Sequence, residues 1–282
     1  MIAFFGMGLL GSNFVRAMRA RGDEVHVYNR THTKARALEA EGAGVFEDPA
    51  DAVRGAERLH LTLSDDEAVD DLLERARTGF SPGILVVDHS TTSVAGVTAR
   101  AERWKARGIE FLHAPVFMGP QNARESTGIM LASGDPAIVG RARAALAAMT
   151  GKLVELGPRP ERAAAFKLMG NLFLMFLTAG VAEMFTLGKA LGIPAKEAAT
   201  LFDVFNPGTT LGLRAKRMLD AQFEPPSWEL AMARKDARLM MEEGDRAQVV
   251  LAMLPAIAQV MDRHIERGYA HHDWTVIAKD AV

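Results

Sequence analysis

A short apolar run at the start of the chain leads directly into a glycine-rich segment. Residues 2–5 read Ile-Ala-Phe-Phe, and the next six read Gly-Met-Gly-Leu-Leu-Gly. In this spacing the first glycine permits a tight turn, the second lets backbone approach a pyrophosphate, and the third lets a helix pack on the strand. A plain turn is the alternative, but the strand before it favours a dinucleotide site. The candidate contacts are Gly6, Met7, Gly8, Leu9 and Leu10.

The first half of the chain alternates short apolar runs with amphipathic segments. Strand-like runs occupy 2–5, 24–28, 58–63, 84–88, 110–113, 129–133 and 153–156, and helical patterns include 10–21, 33–41 and 94–107. Such alternation predicts an α/β domain with a mostly parallel sheet and helices on both faces. We place this domain at residues 1–157.

The pattern changes after Gly157, where Pro158-Arg159-Pro160 breaks the chain and strand-like runs end. Residues 161–191 predict one helix of roughly 30 residues, about 45 Å long at about 1.5 Å per residue. Further helical segments follow at 196–205, 211–221, 228–243 and 247–267. We therefore expect an all-helical domain at 158–282, joined to the first by the long helix.

The long predicted helix is strongly apolar. Residues 168–187 are numerous enough for a membrane span, but Asn171, Thr178 and Glu183 lie among them, so we expect a buried helix and no membrane. Its apolar side chains exceed what one helix face needs, which predicts burial or a subunit contact: Leu172, Phe173, Met175, Phe176 and Phe185.

Composition excludes several classes of function. The chain has 282 residues and no cysteine, which rules out disulfides, thiolate chemistry and cysteine metal sites. Its formal net charge is −2 with both signs interspersed, so we expect no nucleic-acid partner. The 8 histidines show no ligand spacing, so no metal is expected. The N-terminus lacks signal-peptide features, and a cytoplasmic location is the default expectation.

The second predicted strand ends in Tyr28-Asn29-Arg30-Thr31. An NAD site usually has a carboxylate here for the ribose hydroxyls, and this chain has Asn29 instead. Arg30 can form a charge-assisted fork with a 2′-phosphate, with Thr31 and Lys34 in reach. This favours NADP over NAD; a solvated loop arginine is the alternative.

Two later strand ends should face the same edge of the sheet, because ligands bind at the carboxyl ends of parallel strands. One carries Leu63 and Ser64, and the other carries Ser90 and Thr91. Ser90 and Thr91 could hydrogen-bond the nicotinamide ribose or carboxamide. Ser90 could equally cap the next helix.

Lys167 occupies the first turns of the long predicted helix, between Phe166 and Leu168. Asn171 follows one turn later on the same face, so both side chains can converge on one ligand atom. A lysine in apolar surroundings either extends its ammonium to solvent or has a functional role there. Its position just past the domain junction favours the second interpretation.

Together these features resemble the β-hydroxyacid dehydrogenase family, which includes 3-hydroxyisobutyrate dehydrogenase, glyoxylate/succinic semialdehyde reductases and 6-phosphogluconate dehydrogenase. The resemblance covers nearly the whole chain. It rests on the order and spacing of Gly6–Gly11, Asn29-Arg30-Thr31, Asp88-x-Ser90-Thr91, Ala114-Pro115-Val116 with Gly119 and Ala123, Lys167-x-x-x-Asn171 and Lys235-Asp236.

The resemblance implies a Rossmann domain, then an all-α domain, with the active site in the cleft between them, in a homodimer or homotetramer. It implies that Lys167 is the general acid/base beside the nicotinamide and that Asn171 orients a small carbonyl or β-hydroxyacid-type substrate. Thr91 would lie on the nicotinamide side. Lys235 would lie near cofactor and substrate, with an ion pair to Asp236 as the alternative. The expected activity is that of an NADP-dependent oxidoreductase.

The substrate segment departs from the family pattern. Relatives commonly read Asp-Ala-Pro-Val-Ser-Gly-Gly, whereas residues 113–119 read His-Ala-Pro-Val-Phe-Met-Gly, and the family's asparagine after the lysine is Gly170. Phe117 offers no hydroxyl to a substrate carboxylate. Either the substrate is a less polar carbonyl compound, or its carboxylate is held by Gln121, Asn122 or Arg124. The candidate substrate contacts are Ser90, Phe117, Met118, Gly119, Asn171 and Lys235.

Two other functions share this pattern. Imine reductases have the same fold and the Asn-Arg-Thr signature but usually lack the lysine, so Lys167 argues against that interpretation. A non-catalytic NADP-binding or oligomerisation module need not keep a lysine at all, so its presence favours an enzyme.

Overall fold

A six-stranded parallel sheet forms the centre of the N-terminal part of the protein. The computed structural model describes residues 1–282, which form two compact units, Met1–Leu172 and Phe173–Val282. The sheet confirms the predicted Rossmann-type fold, with strand order β3-β2-β1-β4-β5-β6. Its strands are β1 (Ile2–Phe5), β2 (Val25–Tyr28), β3 (Gly44–Val45), β4 (Arg58–Leu61), β5 (Leu85–Asp88) and β6 (Glu110–His113).

The last predicted strands form a separate small sheet, which corrects the expectation of one sheet. Its strands are β7 (Val116–Phe117), β8 (Ile129–Ala132) and β9 (Lys152–Glu155). β7 pairs with β8 in antiparallel register and β8 pairs with β9 in parallel register. A single bridge between His113 and Ser133 joins this sheet to the end of β6. The two-residue strands β3 and β7 were missed, because so short a segment carries no periodic signal.

Helices cover both faces of the main sheet, as predicted. They are α1 (Leu9–Ala20), α2 (His32–Arg36), α3 (Pro49–Val53), α4 (Asp66–Ala76), α5 (Val94–Ala106), α6 (Pro120–Glu125) and α7 (Pro136–Ala147). Alternate side chains of each strand enter separate cores, since successive residues point to opposite faces. Phe4 belongs to the core that contains Phe14, and Phe5 to the core that contains Leu61.

The long predicted helix is present as α8 (Arg162–Ala190). The first unit runs past residue 157 because the start of this helix packs into it: Ala163 and Ala164 are buried, and the Ala163 N–H donates to Ser133 Oγ. The second unit is helical, as expected. Its later helices are α9 (Ala195–Ala198), α10 (Leu201–Val204), α11 (Leu211–Leu219), α12 (Leu230–Arg246) and α13 (Leu254–His264).

The middle of α8 is not covered by the rest of the chain. The helix is long and apolar enough to cross a membrane by length and composition, with a mean hydropathy of 1.6 and none of that window buried. The expected burial within the chain is therefore wrong. A single helix of this kind is weak evidence for a membrane span, because a helix covered by another subunit has the same composition.

Two histidines are hydrogen-bonded to each other inside the first unit. His89 Nδ1 is 2.7 Å from the Ala114 carbonyl oxygen, so this nitrogen carries the proton and donates it. His89 Nε2 is then an acceptor, and His60 Nδ1, 2.9 Å away, donates to it. Burial lowers the pKa of His60 well below its usual value and lowers that of His89 to about 4. Both rings are therefore neutral in the folded protein near neutral pH.

This pair predicts that acid destabilises the fold. An unfolded histidine has a pKa of about 6.5, so below this pH the unfolded chain binds protons that the folded chain does not. The free energy of unfolding should fall by up to roughly 1.4 kcal/mol per pH unit for each histidine as pH drops from about 6.5 towards 4. Thermal unfolding measured between neutral pH and about pH 5 tests this.

The matched variant is His60→Asn, whose side-chain amide keeps a donor for His89 but does not titrate. It should weaken the acid dependence, although it costs some stability at neutral pH. The control, His271→Asn, changes a side chain that is 86% exposed and should leave the dependence unaltered. Equal acid slopes for the wild type and His60→Asn would contradict the assignment.

Candidate active site

The turn after β1 has the three properties that its glycines predict. Gly6 has φ +94°, and a Cβ there would lie 2.1 Å from the Thr62 carbonyl oxygen. A Cβ at Gly11 would lie 1.9 Å from the Gly6 carbonyl oxygen. Gly8 instead faces open space, with no atom within 4 Å of its would-be Cβ. The turn is thus closed by contact at two glycines and open to a ligand at the third.

A cavity of about 280 Å³ opens beside this turn. Eight predicted residues line it, namely Gly6, Gly8, Asn29, Arg30, Thr31, Lys34, Leu63 and Ser64. The sequence did not indicate six others: Tyr28, Thr62, Ala68, Asp71, Leu72 and Arg75. Arg75 on α4 donates to the Tyr28 hydroxyl at 3.0 Å, a contact between residues 47 positions apart that no local pattern encodes.

Asn29 has a structural reason to be an amide. Its Oδ1 accepts the Met7 N–H at 2.8 Å, and its Nδ2 donates to the Thr31 carbonyl oxygen at 2.8 Å. A carboxylate could make the first bond but would repel the carbonyl in the second. Asn29 therefore braces the glycine turn against the loop after β2, and its side-chain amide is already engaged in both directions.

Met7 has a structural role in the turn, and its contact with a cofactor stays a prediction. Its side chain is 2% exposed and packs in the core, and its N–H is bonded to Asn29. Leu9 and Leu10, which begin α1, are respectively exposed and partly buried. The first helical turn thus presents backbone N–H groups at Leu9 and Leu10 to an anion.

Arg30 and Lys34 are exposed cations at the cavity that form no ion pair. Their neighbours on α2 behave differently, since His32 and Arg36 both lie 3.8 Å from the Glu47 carboxylate. Thr31 is also exposed at this edge. Asp71, which also lines the cavity, lies 3.7 Å from Arg75, so Arg30 and Lys34 remain available to an anionic group.

Ser90 has a structural role, and its contact with a substrate stays a prediction. It is 3% exposed, its Oγ accepts the Leu63 N–H at 2.8 Å, and its own N–H donates to Asp88 Oδ1. The alternative, that Ser90 caps the next helix, is wrong. Ser93 caps α5, with its Oγ accepting the Gly96 N–H at 3.0 Å. Thr91 is exposed, and its contact with the nicotinamide side stays a prediction.

Lys167 lies in the second turn of α8 and is half-buried, with no carboxylate partner. Its Nζ lies 4.4 Å from the centroid of the Phe117 ring. Burial lowers the pKa of this ammonium. Asn171, one turn later, is partly buried and has no side-chain hydrogen bond within the chain. A lysine kept out of an ion pair can give and take a proton more easily than a paired one.

The suggested carboxylate anchors after Gly119 each have a partner within the chain, which makes that alternative less favourable. Asn122 accepts the Gly119 N–H at 2.9 Å and donates to Thr127 Oγ1 at 3.0 Å. Gln121 bonds Glu125, and Arg124 lies 3.5 Å from Glu41. In the second unit Lys235 pairs with Asp236 at 2.8 Å, so the ion pair given as the alternative for this lysine is present.

Two family models together match almost the whole chain. The model described as the NAD binding domain of 6-phosphogluconate dehydrogenase matches residues 1–157. The model described as the NAD-binding of NADP-dependent 3-hydroxyisobutyrate dehydrogenase matches residues 162–280. The chain belongs to the family of oxidoreductases that resemble 6-phosphogluconate dehydrogenase and 3-hydroxyisobutyrate dehydrogenase. It is an NAD(P)-dependent oxidoreductase by membership of this family, and the predicted resemblance is confirmed.

Two curated proteins show what this family member is similar to. An uncharacterized oxidoreductase, YfjR, from Bacillus subtilis (strain 168) is 25% identical over 99% of this chain and 98% of its own length. The cytokine-like nuclear factor N-PAC from Homo sapiens is 30% identical over 98% of this chain. This chain spans about half of N-PAC, 50% of its length.

Solved structures of other proteins share the fold over the full length. An imine reductase from Myxococcus stipitatus in complex with NADP+ has a TM-score of 0.92 at 20% identity, covering 100% of both chains. A variant of the Myxococcus enzyme with NAD+ has a TM-score of 0.91 at 19% identity, covering 100% of this chain and 99% of that one. A reductive aminase from Aspergillus terreus with NADPH and ethyl levulinate has a TM-score of 0.91 at 21% identity, with the same coverage. At these identities the likeness establishes the fold of this family member, and the neighbours hold both NAD+ and NADP+.

Proposed function

We propose that this family member transfers a hydride between NADP(H) and a small carbonyl or hydroxyl substrate, with Lys167 as the general acid/base. The observation that carries the proposal is the half-buried Lys167 ammonium without a carboxylate partner, one turn from the uncommitted amide of Asn171. A structural lysine on a helix is usually solvated or paired with a carboxylate. Lys167 is half-buried and unpaired, which is typical of a lysine that handles a proton.

The cavity beside the glycine turn fits a dinucleotide, and a bound nicotinamide cofactor would supply the hydride. Gly8 and the first turn of α1 would hold its pyrophosphate, because these backbone N–H groups have no partner within the helix, while Gly6 would supply the tight turn. Arg30, Thr31 and Lys34 would hold a 2′-phosphate, which is the group that distinguishes NADP from NAD. The unpaired charges of Arg30 and Lys34 support NADP as the preferred cofactor.

Lys167 would act on the substrate oxygen. Negative charge develops on this oxygen as the carbonyl carbon is reduced, and an ammonium beside it both stabilises the charge and donates a proton from Nζ. In the reverse direction the neutral amine would accept the hydroxyl proton. Because burial lowers the pKa of Lys167, the amine form is accessible at a lower pH than for a free lysine. Asn171, on the same face of α8, would orient the substrate.

Reduction of a C=N bond is the second candidate. Phe117 favours it, because an aromatic face beside the site can attract an iminium cation. The protonated Lys167 opposes it, because two positive charges in a half-buried site repel each other. The third candidate, a non-catalytic NADP-binding module, is supported by the relative described as a nuclear factor. NADPH consumption with short aldehydes, 2-oxo acids and cyclic imines separates the three.

We also propose a homodimer or homotetramer in which another copy covers α8. The supporting observation is a run of exposed apolar side chains around the helix: Leu168, Met169, Leu172, Phe173, Leu174, Met175, Phe176 and Leu177. Leaving so many apolar side chains in water is unfavourable at roughly 25 cal/mol per Å². A monomer mass from light scattering in detergent-free buffer would contradict this proposal.

Replacing Lys167 with alanine should cost at least roughly 10²-fold in turnover while the cofactor still binds, since proton transfer is lost and the cavity residues remain. Lys167→Arg should be nearly as impaired, because a guanidinium keeps the charge but does not release its proton. Steady-state kinetics and fluorescence titration with NADPH measure the two effects. The control, Lys189→Ala, removes an exposed lysine from the same helix. A mild loss in Lys167→Ala would remove this residue from the mechanism.

Replacing Arg30 with alanine should raise the KM for NADPH by about 10- to 100-fold, the equivalent of a lost charge-assisted hydrogen bond of about 1.5–3 kcal/mol. The KM for NADH should change little, because NADH has no 2′-phosphate. Arg36→Ala is the matched control, since Arg36 lies on α2 near Glu47 and outside the cavity. Equal or better turnover of the wild type with NADH would contradict the NADP preference.

A further inference from the structure

The ring of Phe117 fills the space beside Gly170. A Cβ at position 170 would lie 2.3 Å from Phe117 Cζ and 2.6 Å from Cε1. Real carbon atoms do not approach so closely, so any larger residue at 170 would displace the ring. The backbone of Phe117 has little freedom to adjust, because β7 holds it opposite Ile129 of β8. The phenylalanine and the glycine, which are 53 positions apart, therefore depend on each other.

The same ring lies against the Lys167 ammonium. Lys167 and Gly170 are three residues apart on α8 and share one face, so a single ring can contact both. At 4.4 Å from the ring centroid, Nζ is within cation–π distance. The ring both attracts the ammonium and removes water from it. Phe117 is thus a positioning residue for Lys167.

The polar groups that follow Phe117 are already hydrogen-bonded or paired. The Gly119 N–H and the Asn122 side chain bond each other, and the Asn122 amide also donates to Thr127. Gln121 and Arg124 are paired with Glu125 and Glu41. The side chains of this segment therefore offer a bound molecule an aromatic face and Met118, because their amide and guanidinium groups already have partners within the chain.

We propose that Phe117 and Gly170 are a matched pair that seats the Lys167 ammonium on an aromatic face and restricts the substrate to carbonyl or imine compounds without a carboxylate. The restriction on substrate rests on the proposed function. The seating of Lys167 is measured through the same reduction, whereas the pairing of Phe117 with Gly170 does not rest on it, because it concerns packing within the chain.

The pairing is tested by stability, independently of catalysis. Gly170→Ala should lower the Tm by about 2–10 °C in the wild type, because the added methyl overpacks against the ring. In a Phe117→Ala background the same change should cause little or no loss. Gly180→Ala, on the same helix with nothing within 4 Å of its Cβ, is the control and should not lower the Tm. If Gly170→Ala lowers the Tm equally in the wild type and in the Phe117→Ala background, the pairing is overturned.

The seating of Lys167 is tested by the pH dependence of reduction, whose alkaline limb reports loss of the ammonium. Burial alone accounts for the lowered pKa of Lys167, with no charged neighbour contributing. Phe117→Ala should move the limb to higher pH because water returns to the amine. Phe117→Leu, which keeps an apolar cover without a π face, should instead move the limb to lower pH, because the ammonium loses the attraction of the ring. A limb in Phe117→Leu that stays at the wild-type pH would overturn the seating.

The substrate class is tested with butanal and 4-oxobutanoate, which differ in their far end and have the same chain length. The wild type should have a kcat/KM for butanal that is at least 10-fold higher than its kcat/KM for 4-oxobutanoate. A 10-fold ratio corresponds to roughly 1.4 kcal/mol, the smallest cost expected for burying one unpaired carboxylate. The double variant Phe117→Ser/Gly170→Asn should have a smaller ratio of the two kcat/KM values, because it places polar side chains where the family pattern has them. A preference of the wild type for 4-oxobutanoate would overturn the restriction. If no NADPH is consumed with either aldehyde or with cyclic imines, the proposed function is overturned instead. The stability experiment would still decide the pairing.

Discussion

The cofactor end of this protein depends on the contact between the Gly6 turn and the end of β4. Thr62 Oγ1 donates to the Gly6 carbonyl oxygen at 2.7 Å, and the Thr62 carbonyl oxygen occupies the space that a Cβ of Gly6 would need. The turn is thereby fixed by packing and by a hydrogen bond at once. Asn29 adds a second brace from the end of β2. With both in place, the start of α1 is held where its unpaired N–H groups can meet an anion, and the charged edge at Arg30 is positioned beside it.

The strand ends that follow are held by buried polar groups. Arg100 on α5 is fully buried and pairs with Asp66 and Asp70 of α4, with Asp88 at 3.7 Å. Several carboxylates around one guanidinium satisfy a charge that would otherwise be costly to bury. Ser90 continues this network to the Leu63 N–H. These bonds explain why a serine in a ligand-facing segment is structural, while its exposed neighbour Thr91 remains available for binding.

The start of α8 carries both the proposed acid/base, Lys167, and the glycine that makes room for the Phe117 ring. Lys167 is uncommitted because its ammonium lies over an aromatic ring and has no carboxylate partner. Gly170 makes room for that ring, and the polar groups after Phe117 are engaged with each other. The result is a positive charge in apolar surroundings, an arrangement that favours proton transfer to a neutral substrate.

The sequence by itself determined the parallel sheet, the glycine turn, the long helix and the positions of Lys167, Arg30 and Lys34, because these depend on local periodicity and on spacing along the chain. Tertiary structure alone decided which polar groups remained free. Ser90 and Asn122 look like ligand contacts in sequence, and their partners Leu63 and Thr127 make them structural. The dependence of Phe117 on Gly170 was likewise not visible in the sequence. It arises only because folding places the Phe117 ring in the space that a Cβ at position 170 would occupy. Hydrogen-bond saturation and steric fit are properties of neighbours in space, which the linear order of residues does not specify.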